Sequence, residues 1–222
     1  MRIFVPFEAS RPKTRLGPTL DADERDAFAR AMLRDVLDAV VAAGHDPEVV
    51  ATAPLSAATA ESADCGDVLD DAAVSVDDRP LSTAVNDRLA AAADDLPVGV
   101  VVADLALATP AAIDRLVAAG ADADVAIAPG RGGGTNALVV SHPEFRVDFH
   151  GVSYRDHLTA ARAVDAAVCV VDSMRLATDV DEPADLVEVL LHGDGRAAAW
   201  LRDAGFELDA GEGRVGVART AE

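Results

Sequence analysis

The chain has 222 residues, half of them hydrophobic, which is enough to bury a core without a disulfide or metal and too apolar for bulk disorder. Its 39 acidic residues outnumber 19 basic ones for a formal charge of −20, which disfavours a nucleic-acid backbone as partner. Asp exceeds Glu by 29 to 10, and Lys13 is the only lysine beside 18 arginines. A surface adapted to concentrated salt has this character, because in molar salt the Debye length falls to about 3 Å and self-repulsion fades. A GC-rich genome that replaces Lys by Arg is a second source of the bias, and both can apply.

Met1 to Pro6 runs straight into a strand pattern with no signal-peptide core, and no apolar stretch reaches about 18 residues. A cytoplasmic location is therefore expected. Strand patterns cover Ile3 to Phe7, Glu48 to Ala53, Ala73 to Val76, Val98 to Ala103, Asp124 to Ala128, Ala137 to Ser141 and Ala167 to Val171. Between them Asp21 to Ala43 reads as a helix: Asp21 and Glu24 form a capping-box pattern, Phe28, Met32, Val36 and Val40 share a face, and Gly44 ends it. Further helices are predicted over Leu81 to Ala93, Pro110 to Ala119, Tyr154 to Ala163, Pro183 to Leu191 and Ala197 to Ala204, with Pro110 and Pro183 at first-turn positions.

Strands alternating with helices predict a single α/β domain over residues 1–222, a Rossmann-like, doubly wound and mostly parallel sheet with helices on both faces. Ligands of such folds bind beyond the carboxyl ends of the strands. Cys65 and Cys169 have no paired spacing, so neither a disulfide framework nor a zinc site follows. The Ala/Asp-rich stretch from Ala57 to Ala73 is the nearest approach to low complexity.

The loop after the first strand carries Arg11, Lys13 and Arg15 where such folds hold phosphates, but it lacks the P-loop pattern. Asp104 ends an apolar strand where a divalent metal could sit, or it caps the following loop. Of Asp179 and Asp181, one is expected to cap the helix beginning near Pro183, leaving the other free for metal. Gly132 to Ala137 matches a dinucleotide fingerprint, but a strand rather than a helix follows it, so the segment reads as an anion-binding or hairpin loop. Gly151 and Ser153 stand at a predicted helix start suited to phosphate, Ser153 alternatively being the N-cap. His157 is expected to be packed or solvent-facing, and no Ser/His/Asp or Cys/His arrangement is present.

Taken together, Arg11-Pro12-Lys13-Thr14-Arg15-Leu16, Asp104-Leu105, Gly132 to Leu138, Phe149-x-Gly151-x-Ser153 and Asp179 to Leu186 resemble the archaeal 2-phospho-L-lactate guanylyltransferases, over Met1 to about Leu201. Wider kinship is to nucleotidyltransferases of the molybdopterin-guanylyltransferase type, with a nucleotide-diphospho-sugar transferase-like fold. The resemblance implies transfer of GMP from GTP to 2-phospho-L-lactate, releasing pyrophosphate, in the biosynthesis of coenzyme F-420. It further implies that Lys13 and Arg15 hold the triphosphate, with Lys13, Arg15 and Asp104 catalytic, and that Ser82 faces GTP. Asp104 and Asp181 would ligate Mg²⁺, and Thr135, Gly151 and Ser153 would hold the acceptor phosphate, with His150 an alternative to Gly151. The chain departs from many relatives at Ala106, where they carry Pro, and at Pro80-Leu81-Ser82, where they carry Gly-Leu-Asn. Phosphoenolpyruvate, 3-phosphoglycerate or the molybdenum cofactor as acceptor, and a non-catalytic nucleotide-binding regulator, remain alternatives, as does a homodimeric assembly. No membrane partner is expected.

Overall fold

The computed structural model describes residues 1–55, 72–211, 213 and 215–220. Cys65 and most of the Ala57 to Ala73 stretch lie outside the described residues. The strands are β1 (Arg2–Phe7), β2 (Asp46–Ala51), β3 (Ala73–Val76), β4 (Val98–Val101), β5 (Val125–Pro129), β6 (Thr135–Val140) and β7 (Val168–Val170). They form one sheet in the order β3-β2-β1-β4-β6-β5-β7. Four of its six pairings are parallel as expected, but β6 runs antiparallel to both β4 and β5, so the sheet is mostly rather than wholly parallel. No helix separates β5 from β6. The glycine loop between them therefore makes a hairpin, closed by the Gly130 N–H on the Gly134 carbonyl at 2.9 Å.

The helices are α1 (Ala22–Ala42), α2 (Leu81–Ala91), α3 (Pro110–Ala121), α4 (Ser153–Ala163), α5 (Met174–Ala177), α6 (Leu186–His192) and α7 (Arg196–Asp203). Alternate strand residues feed two cores, because successive side chains leave opposite faces of a sheet. Ile3, Val5, Val49, Val101, Ala126 and Val139 pack with Phe28, Met32 and Val36 of α1 and Ile113 and Leu116 of α3. Phe4, Val50, Val100, Ile127 and Leu138 pack on the other face with Val85 and Leu89 of α2 and Ala161 of α4. The capping box at α1 forms as predicted, Asp21 accepting from the Glu24 N–H at 2.9 Å and Glu24 from the Asp21 N–H at 2.9 Å. Thr109 caps α3 with Pro110 in its first turn.

Three features depart from the sequence expectation. Asp179 does not directly follow the last strand, since α5 intervenes and the antiparallel pair β8 (Phe206–Asp209) and β9 (Gly216–Arg219) comes later. Neither Asp179 nor Asp181 caps the turn at Pro183; the Asp185 carboxylate accepts instead from the N–H groups of Asp181 at 3.0 Å and Glu182 at 2.8 Å. That leaves the carboxylates of both Asp179 and Asp181 free of capping. Ser153 is the first residue of α4 rather than its cap, which is Val152.

Candidate active site

A cavity of about 750 Å³ opens beyond the carboxyl ends of β1 to β4, lined by Glu8, Arg11, Lys13, Arg15, Asp77, Arg79, Leu81, Asp104 and Asp181 among others. Its floor is built by the loop after β1. The Glu8 carboxylate accepts from the Ser10 and Arg11 N–H groups at 2.7 and 3.3 Å and from the Thr52 hydroxyl at 2.9 Å. Burial works to raise the pKa of Glu8, and these bonds outweigh it, holding the group below the ordinary carboxylate value. Lys13 follows in the left-handed region, at φ +51° and ψ +44°. A non-glycine residue there costs about 1–2 kcal/mol. The turn is fixed by the Leu16 N–H on the Lys13 carbonyl at 2.9 Å.

That strained backbone carries the side chain inward. Lys13 Nζ donates to Asp104 Oδ2 at 2.6 Å and to Asp181 Oδ1 at 2.8 Å, and Arg15 lies 3.7 Å from Asp181 Oδ2. Burial works against the ammonium, yet the two carboxylates outweigh it and keep the Lys13 pKa above the ordinary lysine value. Burial pushes Asp104 up from the ordinary carboxylate value; Lys13 opposes this, whereas the negative charges of Asp181 and Asp179 add to it. Asp104 Oδ1 is buried with no hydrogen-bond partner among the described residues. A cluster with surplus negative charge and an orphaned carboxylate oxygen suits a hard divalent cation.

The other wall comes from the segment between β3 and α2. Arg79 holds Asp77 with two of its nitrogens, at 2.9 and 2.8 Å, and Arg88 adds a third bond at 2.8 Å, so Asp77 lies well below the usual carboxylate range. Pro80 and Leu81 line the cavity. The Ser82 oxygen is turned elsewhere, accepting from the Phe149 N–H at 2.8 Å.

Thr135, Gly151 and Ser153 form a second group that lies outside the lining of this cavity. The Thr135 N–H donates to Ser153 Oγ at 2.9 Å, joining the first residue of β6 to the first turn of α4. Gly151 is exposed at φ +54°, a backbone conformation that glycine adopts without strain. The His150 ring is exposed and bonded to Asp148. His157 is fully buried, in keeping with a packed histidine. The two groups meet through Asn136, which sequence reasoning assigned no role: its side-chain Nδ2 donates to Asp179 Oδ1 at 3.0 Å and to the Leu176 carbonyl at 3.0 Å, while its backbone carbonyl accepts from the Val102 N–H at 2.9 Å. Its place beside Thr135 in the glycine-rich motif was the available signal.

Among the described residues no helix is long and apolar enough to cross a membrane. Residues 1–220 match the family model "Guanylyl transferase CofC like". The chain is 59% identical to the 2-phospho-L-lactate guanylyltransferase of Halomicrobium mukohataei, over 99% of this chain and 100% of that protein. It is 58% identical to the enzyme of that name from Haloferax volcanii, over 99% and 98%. Among solved structures, it resembles a Desulfovibrio desulfuricans protein described as a nucleotide-diphospho-sugar transferase, with a TM-score of 0.72 at 18% identity over 91% of this chain and 94% of that one. A Mycobacterium tuberculosis protein solved with manganese matches at a TM-score of 0.51 and 18% identity, covering 86% and 98%. The fold is thus that of the nucleotide-diphospho-sugar transferases, and the chain belongs to the CofC-like guanylyl transferase family of nucleotidyltransferases.

Proposed function

We propose that the chain, acting as a single domain in the cytoplasm of a salt-adapted cell, joins the guanylyl group of GTP to 2-phospho-L-lactate and releases pyrophosphate in coenzyme F-420 biosynthesis. The observation that carries this reading is Lys13 bridging Asp104 and Asp181 in the lining of a cavity of about 750 Å³. GTP occupies the cavity with its base toward Pro80 and Leu81 and its triphosphate toward Arg11, Lys13 and Arg15. Asp104 and Asp181 would hold Mg²⁺, which when bound neutralises phosphate charge. Among the described residues no group of three His, Cys, Asp or Glu closes around one point, so water and triphosphate oxygens would complete its shell.

The acceptor phosphate lies against Thr135, Gly151 and Ser153. Being already ionised, it needs no general base to attack the α-phosphorus; orientation and charge neutralisation suffice. Lys13, held protonated, and Arg15 take up charge on the departing pyrophosphate. The test is an acceptor panel with GTP in molar KCl, scored by pyrophosphate release and product mass. 2-Phospho-L-lactate is expected to give the guanylylated product. Pyrophosphate only with phosphoenolpyruvate, 3-phosphoglycerate or the molybdenum cofactor would overturn the acceptor, and none with any acceptor would overturn catalysis.

A further inference from the structure

The buried side of the acceptor group is built around His157, one helical turn after Ser153 on α4. Its ring stands edge-on to Phe149 with centroids 5.1 Å apart, and Phe145 lies at 6.1 Å. Nε2 accepts from the backbone N–H of Asp148 at 2.9 Å. A backbone N–H can only donate, so Nε2 carries the lone pair and the ring proton sits on Nδ1. Nδ1 lies 2.9 Å from Thr135 Oγ1, and the bond there runs from the histidine to the threonine. Burial lowers the His157 pKa to about 4, so the ring stays neutral and in this tautomer near neutral pH.

The consequence falls on the hydroxyls. Thr135 Oγ1 has a lone pair filled by His157, and its own hydrogen has no acceptor among the described residues. Ser153 Oγ has a lone pair filled by the Thr135 N–H, and its hydrogen is in the same position. The two residues, both buried, are joined by the bond from the Thr135 N–H to Ser153 Oγ, and each hydroxyl keeps its hydrogen to donate. Such a pair favours a group that only accepts, which an ionised phosphate does, over an ammonium or a metal ion.

We infer that His157 is a positioning residue for the acceptor phosphate, its Nδ1–H occupying a lone pair of Thr135 Oγ1 so that the threonine hydroxyl is left to act as a donor. The same ring ties down Asp148, whose neighbour Phe149 is bonded to Ser82 on α2, so the histidine also fixes the segment that runs from α2 toward Gly151. This rests on Thr135 and Ser153 being the acceptor contacts.

The test compares His157→Phe, which keeps the ring packing without either hydrogen bond, with His157→Asn, whose shorter amide can still donate to Thr135. His157→Phe is expected to raise the KM for 2-phospho-L-lactate about tenfold, the loss of one bond to a charged group, with the GTP KM within about twofold. His157→Asn should recover most of that loss. In a Thr135→Val background, His157→Phe should have little further effect on the acceptor KM, since both changes remove the same donor. Unchanged acceptor KM in folded His157→Phe, or an equal rise in both KM values, would overturn the inference. If the Phe variant does not fold, His157→Asn is compared with Thr135→Val, and an equal acceptor KM in the two would overturn it. The underlying reading fails separately: Thr135→Val and Ser153→Ala would then both leave the acceptor KM unchanged.

Discussion

Lowering the pH should destabilise the fold through His157. Burial takes its pKa from the ordinary 6.5 to about 4, against the smaller pull of Asp148 and Asp156. Between those values the unfolded chain binds a proton that the folded chain does not, so stability rises with pH across the window and is lost as pH falls from 6.5 through about 4. At about 1.4 kcal/mol per pH unit, the full loss is about 3 kcal/mol. Carboxylates titrate in the same range, and Asp35, raised to about 6 mainly by burial, contributes with the opposite sign. The measurement must therefore be a difference. Urea unfolding at fixed molar KCl would be followed at pH 7.5, 6.5, 5.5 and 4.5 for the wild type and for His157→Phe. The variant loses a constant amount at every pH by stranding the Asp148 N–H, but its stability should fall less steeply, so that the two curves approach each other below pH 6.5. Parallel curves would refute the assignment of a buried neutral imidazole.

Lys13→Arg keeps the positive charge but places a planar guanidinium where a compact ammonium bridges two carboxylates; kcat should fall at least about tenfold with folding unchanged, and turnover within twofold of wild type would show that charge alone suffices. Asp104→Asn and Asp181→Asn should each lower metal-dependent pyrophosphate release by about 100-fold or more, and near-normal turnover in folded variants would remove the metal assignment. Gly195→Ala should cost about 1–3 kcal/mol in unfolding, because its Cβ would fall 2.5 Å from Asp35 Oδ1, a carboxylate fixed by the Arg196 and Ala197 N–H groups; an unchanged midpoint would show that α7 can shift. Dilution from molar KCl to about 0.1 M should inactivate the protein and lower its Tm, while full activity there would reject the salt-adapted reading.

Much of the scaffold was legible because its signals are local. The Asp21/Glu24 box, the apolar face through Phe28 and Met32, and Pro110 behind Thr109 each act within a few residues. The direction of β6 was not, since all six of its residues are buried and an uninterrupted apolar strand carries no mark of which way it runs. The hairpin β8–β9 was missed for the opposite reason: beyond Phe206 its residues are at most half-buried and alternate weakly. At the site, the charge pattern found Lys13, Arg15 and Asp104 but left Asp179 and Asp181 open, and only the family resemblance chose Asp181, which the fold brings to the same cavity. Sequence spacing could not show that Asp185 would relieve Asp181 of capping, because that depends on a 3-10 turn at Pro183. The tautomer of His157 needed a donor from a separate loop.

The reversed strand gives the site unequal mechanical footing. Because β6 runs against β4 and β5, its first residue, Thr135, emerges at the same edge as Asp104, yet it belongs to a strand hydrogen-bonded on both sides at the middle of the sheet. The Thr135 side is therefore an anvil: moving its strand means tearing ladders on two flanks, with Asn136 pinned to Val102 and Asp179 as well. The opposite wall hangs on segments after β1 and after β3, the latter an edge strand with a single neighbour. Lys13 is itself held by Asp104 and Asp181 and follows a strand paired on both sides, so the looser footing belongs to the segment of Asp77 and Arg79 after β3.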